Sequence, residues 1–145
     1  MWLWVWLMLV AAPPAGATPG VGSAPAAIQL RQAEFVLVAA RGESTPMRVV
    51  GLPDTWAQRG LATHGSARYR LRFTLAQVPA QPWALSFTRI SSTRRVFLNG
   101  VLIQDESPLG RQHPEPDLID LPPQLLRLGA NHIELEVTSR IRGGL

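Results

Sequence analysis

Between Phe35 and Val137 the chain keeps returning to one pattern, apolar and polar residues alternating with a period of two. In RYRLRFTL, Tyr69, Leu71, Phe73 and Leu75 fall on one side and Arg68, Arg70 and Arg72 on the other, as in a strand with one face buried and one in water. The alternation spans Ala67 to Ala76 and Trp83 to Ile90, with a loop around Val78 to Pro82 between them. It returns in NHIELEV, where Ile133, Leu135 and Val137 face inward and Glu134 and Glu136 outward. Phe35 to Val38 within the apolar stretch from Ala27 to Ala40, RVVG ahead of a turn at Pro53-Asp54, and DLIDLP supply further strands. PQLLRLG reads as one helical turn closed by Gly129. Short strands punctuated by Gly and Pro predict an all-β fold, an antiparallel sandwich or jelly roll.

RVFLNGVLI, residues 95 to 103, is two apolar runs joined by Asn99-Gly100. A two-residue connection favours a type I′ turn, whose positive φ angles Asn and Gly accept at low cost. Leu98 is then expected opposite Val101 and Val96 opposite Ile103 on one face, with Phe97 and Leu102 on the other. Asn99 and Gly100 are read as structural turn residues, with Asn99→Gly expected to be mild. Asp105 to Asp117 is a polar loop containing Pro108, Pro114 and Pro116. Loops of this length in a compact domain are often functional.

Length and composition add organisation. The 145 residues suit one domain. An apolar run followed by Ala15-Gly16-Ala17 reads as a signal peptide over residues 1–17, cleaved after Ala17, which makes the mature chain exported and periplasmic. The run, broken by Pro13 and Pro14, is shorter than the roughly 20 residues of a spanning helix. Residues 18–26, rich in Gly, Pro, Ala and Ser, form a flexible linker, and residues 27–145 form the folded domain. There is no cysteine, hence no disulfide framework. The net charge is +4, all 14 basic residues being Arg. The arginines lie on solvated strand faces or are scattered without interleaved aromatics, so no nucleic-acid partner is expected.

The chemistry-bearing residues are sparse. His64, His113 and His132 lack metal-ligand spacing, and Asp105, Asp117 and Asp120 form no ordered calcium motif; neither metal nor cofactor is expected. Glu134/Glu136 and Asp117/Asp120 make poor acid/base pairs, one being solvated and the other flanking a strand, so no stand-alone enzyme is expected. His132 reads as a structural residue at a strand start, and Trp56 and Trp83 read as core anchors ahead of sugar platforms. A ligand site, if built from loops, would combine Trp56, Arg59, His64, Arg111, His113 and Asp117, one aromatic face with charged hydrogen-bonding groups.

In this order, LPDTW, YRLRFTL, WALSFTRISSTRRVFLNGVLI and LPPQLLRLGANHIELEV resemble the galactose-binding-like jelly-roll module. That module is found in the periplasmic N-terminal region of bacterial membrane histidine kinases and diguanylate cyclases, and in the sugar-binding domain of family 2 glycoside hydrolases. The Leu-Pro-Asp-x-Trp turn after the first strand is similar to the sensor setting. The resemblance implies a sensory or ligand-binding module of a membrane signalling protein, tethered to the membrane as part of a longer chain, and a jelly roll lacking its last strand or strands after Leu145. Kinase, cyclase or hydrolase chemistry would lie outside this sequence. The implied partners are a small-molecule or carbohydrate ligand and self-association or a partner domain of the sensor. The alternatives are an accessory carbohydrate-binding domain of a hydrolase and a ligand-free interaction module.

Overall fold

The computed structural model describes residues 4–6, 27–38, 44–56, 59–61, 65–89, 93–106 and 117–139. In chain order the strands are β1 (Trp4–Trp6), β2 (Gln32–Val38), β3 (Arg48–Gly51), β4 (Gly65–Leu75), β5 (Trp83–Arg89), β6 (Thr93–Leu98), β7 (Val101–Asp105), β8 (Asp117–Leu121) and β9 (Gly129–Ser139), with a 3₁₀ turn at Pro123–Leu125. Every pairing is antiparallel. One sheet has the order β3-β2-β4-β9-β6-β7 and the other β1-β5-β8, so the chain folds as an all-β sandwich.

Alternation decides what lies between the sheets. Ala67, Tyr69, Leu71, Phe73 and Leu75 of β4 are buried with Ile133, Leu135 and Val137 of β9 and Val96 and Leu98 of β6. Trp83, Leu85 and Phe87 of β5 and Ile119 and Leu121 of β8 meet them from the second sheet in a single cluster. Each Val, Leu, Ile or Phe side chain among them, taken out of water, contributes about 1.5–3 kcal/mol. The segment from Leu52 to Leu61, which crosses from β3 to β4, adds buried Trp56 to that cluster beside Phe35 of β2; it begins at a cis Leu52-Pro53 peptide.

Two sequence expectations change in detail. Leu98 faces Val101 and Phe97 faces Leu102, but an irregularity between Val96 and Phe97 sets Val96 opposite Gln104 instead of Ile103. Such a bulge adds a residue to one strand and bends an edge pair away from flat pairing. The helical turn within PQLLRLG is a three-residue 3₁₀ turn, and Gly129, at φ 82°, opens β9. Within residues 1–17, Trp4–Trp6 pairs with the edge of β5; the rest of that stretch, and residues 18–26, lie outside the described residues. No described helix is long and apolar enough to cross a membrane.

Candidate functional site

Strand polarity gives the sandwich two unlike ends. At one stand the β4–β5 connection, the Asn99-Gly100 turn and the 3₁₀ turn between β8 and β9. At the other stand the C-terminal ends of β2, β5, β7 and β9 and the N-terminal ends of β4, β6 and β8. Glu106 and Asp117, the described residues on either side of 107–116, both stand at this second end.

The anchor Glu106 belongs to a buried ion pair. Arg94 occupies the same inward phase of β6 as Val96 and Leu98 and is 3% exposed. Its Nη2 donates to Glu106 Oε1 at 3.0 Å, and its guanidinium carbon stands 5.5 Å from the centroid of the Phe87 ring. The Glu106 amide donates to the Arg94 carbonyl at 2.9 Å. Gln104 Nε2 donates to the same Glu106 oxygen, while the buried Gln104 Oε1 accepts no hydrogen bond. Taking two charges out of water costs several kcal/mol per ion, which only close hydrogen-bonded pairing offsets. Asp117 stands opposite Phe87 across the β5–β8 pair, which puts the far anchor of the loop next to the ring beneath Arg94. Neither Arg94 nor Glu106 was singled out by the sequence reading. The available signal was a charge in phase with two core residues, Arg94-x-Val96-x-Leu98.

Of the six ligand candidates from sequence, Trp56 and Arg59 belong together, but in a different arrangement. Trp56 is 1% exposed, so its ring serves the core and presents no stacking face. Its indole N–H donates to the Tyr69 hydroxyl at 2.6 Å, which donates to Asp54 Oδ2 at 2.6 Å. Arg59 Nη2 donates to the same oxygen at 2.6 Å while its guanidinium lies over the Phe35 ring, 3.9 Å from the centroid. Burial, then the hydrogen bond and charge of Asp54, push the Tyr69 hydroxyl well above its ordinary value, so it stays a donor. This chain of contacts pins the β3–β4 crossing segment to the sheet. His64, Arg111 and His113 lie outside the described residues, as does the Asp117 side chain; Gly65, following His64, begins β4 opposite Ser139. Trp83 is also 1% exposed, and among the described residues no group of three His, Cys, Asp or Glu side chains could hold a metal ion.

The outer face of the larger sheet is a lattice of opposite charges. Arg70 pairs with Glu134, Arg68 with Glu134 and Glu136, Arg72 with Glu34, and Arg95 with Glu136 and Asp105. The strand arginines thus meet carboxylates on neighbouring strands. His132 lies in this sheet; its backbone N–H and carbonyl both bond to Asn99.

The opposite end is closed by two asparagines. Asn99 has φ 50° and Gly100 φ 87°, the left-handed pair that a type I′ turn requires. Asn99 Nδ2 donates to the Leu125 carbonyl at 2.7 Å and to Asn131 Oδ1 at 2.8 Å, and its Oδ1 accepts from the His132 amide at 2.9 Å. Asn131 Oδ1 also accepts from the Arg127 amide, and its Nδ2 donates to the carbonyls of Arg127 and Gly129. The β6–β7 turn, the 3₁₀ turn and the start of β9 are thereby tied into one latch. No protein-family profile matches the chain, and no curated protein matches it either.

Proposed function

We propose that the chain is an exported sensory or ligand-binding module of a bacterial membrane signalling protein of the histidine kinase or diguanylate cyclase kind, with a jelly-roll sandwich. The observation that carries this reading is the difference between the two ends. One end is closed by side-chain bonds to backbone. At the other stand the anchors of a long polar loop, Glu106 and Asp117, the first of them in a buried pair with Arg94 and beside a glutamine oxygen that accepts no hydrogen bond. Arg111 and His113, in the sequence between the anchors Glu106 and Asp117, are the groups proposed to hydrogen-bond a small polar ligand, while the buried Arg94–Glu106 pair fixes one of those anchors.

The carbohydrate-accessory alternative is less well supported by the aromatic residues. Both tryptophans and the single tyrosine of residues 27–145 are buried, leaving no tryptophan or tyrosine face for stacking a sugar ring. The charge lattice speaks for a face whose arginines are already neutralised, which suits the expectation of no nucleic-acid partner.

Two measurements test the proposal. Alkaline phosphatase fused after Leu145 is expected to be active, as only exported fusions are; an inactive, stably produced fusion contradicts export. Thermal shift of the purified chain with galactose, N-acetylglucosamine, succinate and citrate is expected to show stabilisation by at least one. That stabilisation should be lost in the Arg111→Ala/His113→Ala double variant; stabilisation that survives it places the ligand elsewhere.

A further inference from the structure

The latch residue Asn99 precedes Gly100, and an Asn-Gly pair is chemically labile because glycine leaves its amide nitrogen sterically open to the neighbouring carboxamide. In the folded chain that carboxamide is held by three hydrogen bonds, two from Nδ2 and one to Oδ1. Attack by the Gly100 nitrogen on Cγ needs the carboxamide free to turn into the reactive geometry, and these three hydrogen bonds hold it against turning.

We propose that Asn99 is a conformation-gated deamidation site, in which folding protects the carboxamide and each opening of the latch exposes it to an irreversible reaction. The Gly100 amide nitrogen attacks Asn99 Cγ, a new C–N bond closes a five-membered succinimide, and Nδ2 leaves as ammonia with the proton from the Gly100 amide. Water then opens the ring, giving aspartate or isoaspartate at position 99.

Neither product restores the latch. A carboxylate only accepts hydrogen bonds, so it keeps the His132 amide but faces the Leu125 carbonyl and Asn131 Oδ1 as a third acceptor. Isoaspartate in addition lengthens the backbone inside a two-residue turn whose geometry fixes the strand register. The modification therefore records, one way, that the β6–β7 hairpin has parted from β9.

The test uses the full chain in mildly alkaline buffer, with and without denaturing urea, followed by digestion and mass spectrometry of the peptide containing Asn99. Conversion is expected to be at least about tenfold slower in the folded chain than in the unfolded one, because reaction waits on local opening. Asn131→Ala, which removes one Nδ2 acceptor, is expected to raise the folded-state rate severalfold. If that variant does not fold, the wild-type rate in sub-denaturing urea is expected to rise in step with hydrogen exchange of the His132 amide. The product mimic Asn99→Asp is expected to unfold at lower urea than wild type. Equal rates in folded and unfolded chains overturn the proposal, as does a rate unmoved by loosening the latch or an Asn99→Asp variant with the wild-type midpoint.

Discussion

Asn99 shows how far one side chain's role exceeds its turn propensity. Its conformation alone suggests that glycine would replace it at little cost, and that is the sequence expectation. The structure corrects it, because Asn99→Gly removes three hydrogen bonds and strands the Leu125 carbonyl and the His132 amide. With each net hydrogen bond worth about 0.5–1.5 kcal/mol and these groups part-buried, urea unfolding of Asn99→Gly is expected to show a loss of about 1 kcal/mol or more. Gly100→Val is expected to lose about 1 kcal/mol or more for a different reason. A Cβ there meets nothing within 4 Å, so the penalty is the left-handed φ of 87°, which β-branched residues resist. Tyr69→Phe leaves the Trp56 N–H without its acceptor and takes one donor from Asp54, a loss of about 1–3 kcal/mol by urea titration. On the outer face, the hydrogen bond from Arg72, supported by Coulombic attraction of Arg72, Arg70 and His132, holds Glu34 below the ordinary carboxylate value of 4.5 despite an opposing desolvation contribution. A depressed folded-state value means this pair stabilises above pH 4.5 and that the contribution disappears as pH falls through the folded value. Wild type is therefore expected to exceed Glu34→Gln in stability at neutral pH, with the difference closing under acid; a difference that persists there contradicts the pairing.

At the scale of elements, the strands were legible because each buries one face and solvates the other. The alternation in β4 and β9 located their cores residue by residue, and Asn99-Gly100 located the hairpin. What period-two patterning does not encode is pairing between distant strands, so the β4–β9 neighbourhood and the arginine–glutamate lattice across it were invisible. The bulge opposite Gln104 was also beyond reach, since Val96 and Ile103 are both apolar and offer no reason to part. Arg94 was overlooked because an arginine on an amphipathic strand is ordinarily placed in water; only its phase with Val96 and Leu98 marks it as interior. Its pairing is testable by a double-mutant cycle. Arg94→Met or Glu106→Leu alone removes the direct ion-pair partner of a buried charge and is expected to cost up to about 3–5 kcal/mol. The double variant is expected to cost much less than the sum, since two apolar side chains of similar volume replace the pair. Additive losses would mean that the two charges are not coupled.

For the whole molecule, the all-β sandwich followed from pattern and turn chemistry, whereas the unlike character of its ends follows from topology. The Asn99-Gly100 turn, the 3₁₀ turn and the start of β9 are latched together at one end, and the anchors of the long polar loop, Glu106 and Asp117, stand at the other. The candidate ligand residues were only partly legible for the same reason: Trp56 was placed by its loop position, but its neighbours Phe35 and Tyr69 claim it for the core. Export makes its own prediction, that chain recovered from the periplasm begins at Thr18; intact Met1 on cytosolic material is the contrary result. The claim that ligand reception belongs to the end bearing Arg94 and Glu106 is tested most directly by amide chemical-shift mapping of the isotope-labelled chain, titrated with galactose, N-acetylglucosamine, succinate and citrate. A binding probe is predicted to shift Arg94, Gln104, Glu106 and Leu118 while Asn99, Gly100 and Asn131 stay in place. Saturable shifts at the latch with the other end unmoved, or none with any of the four probes, would contradict the account.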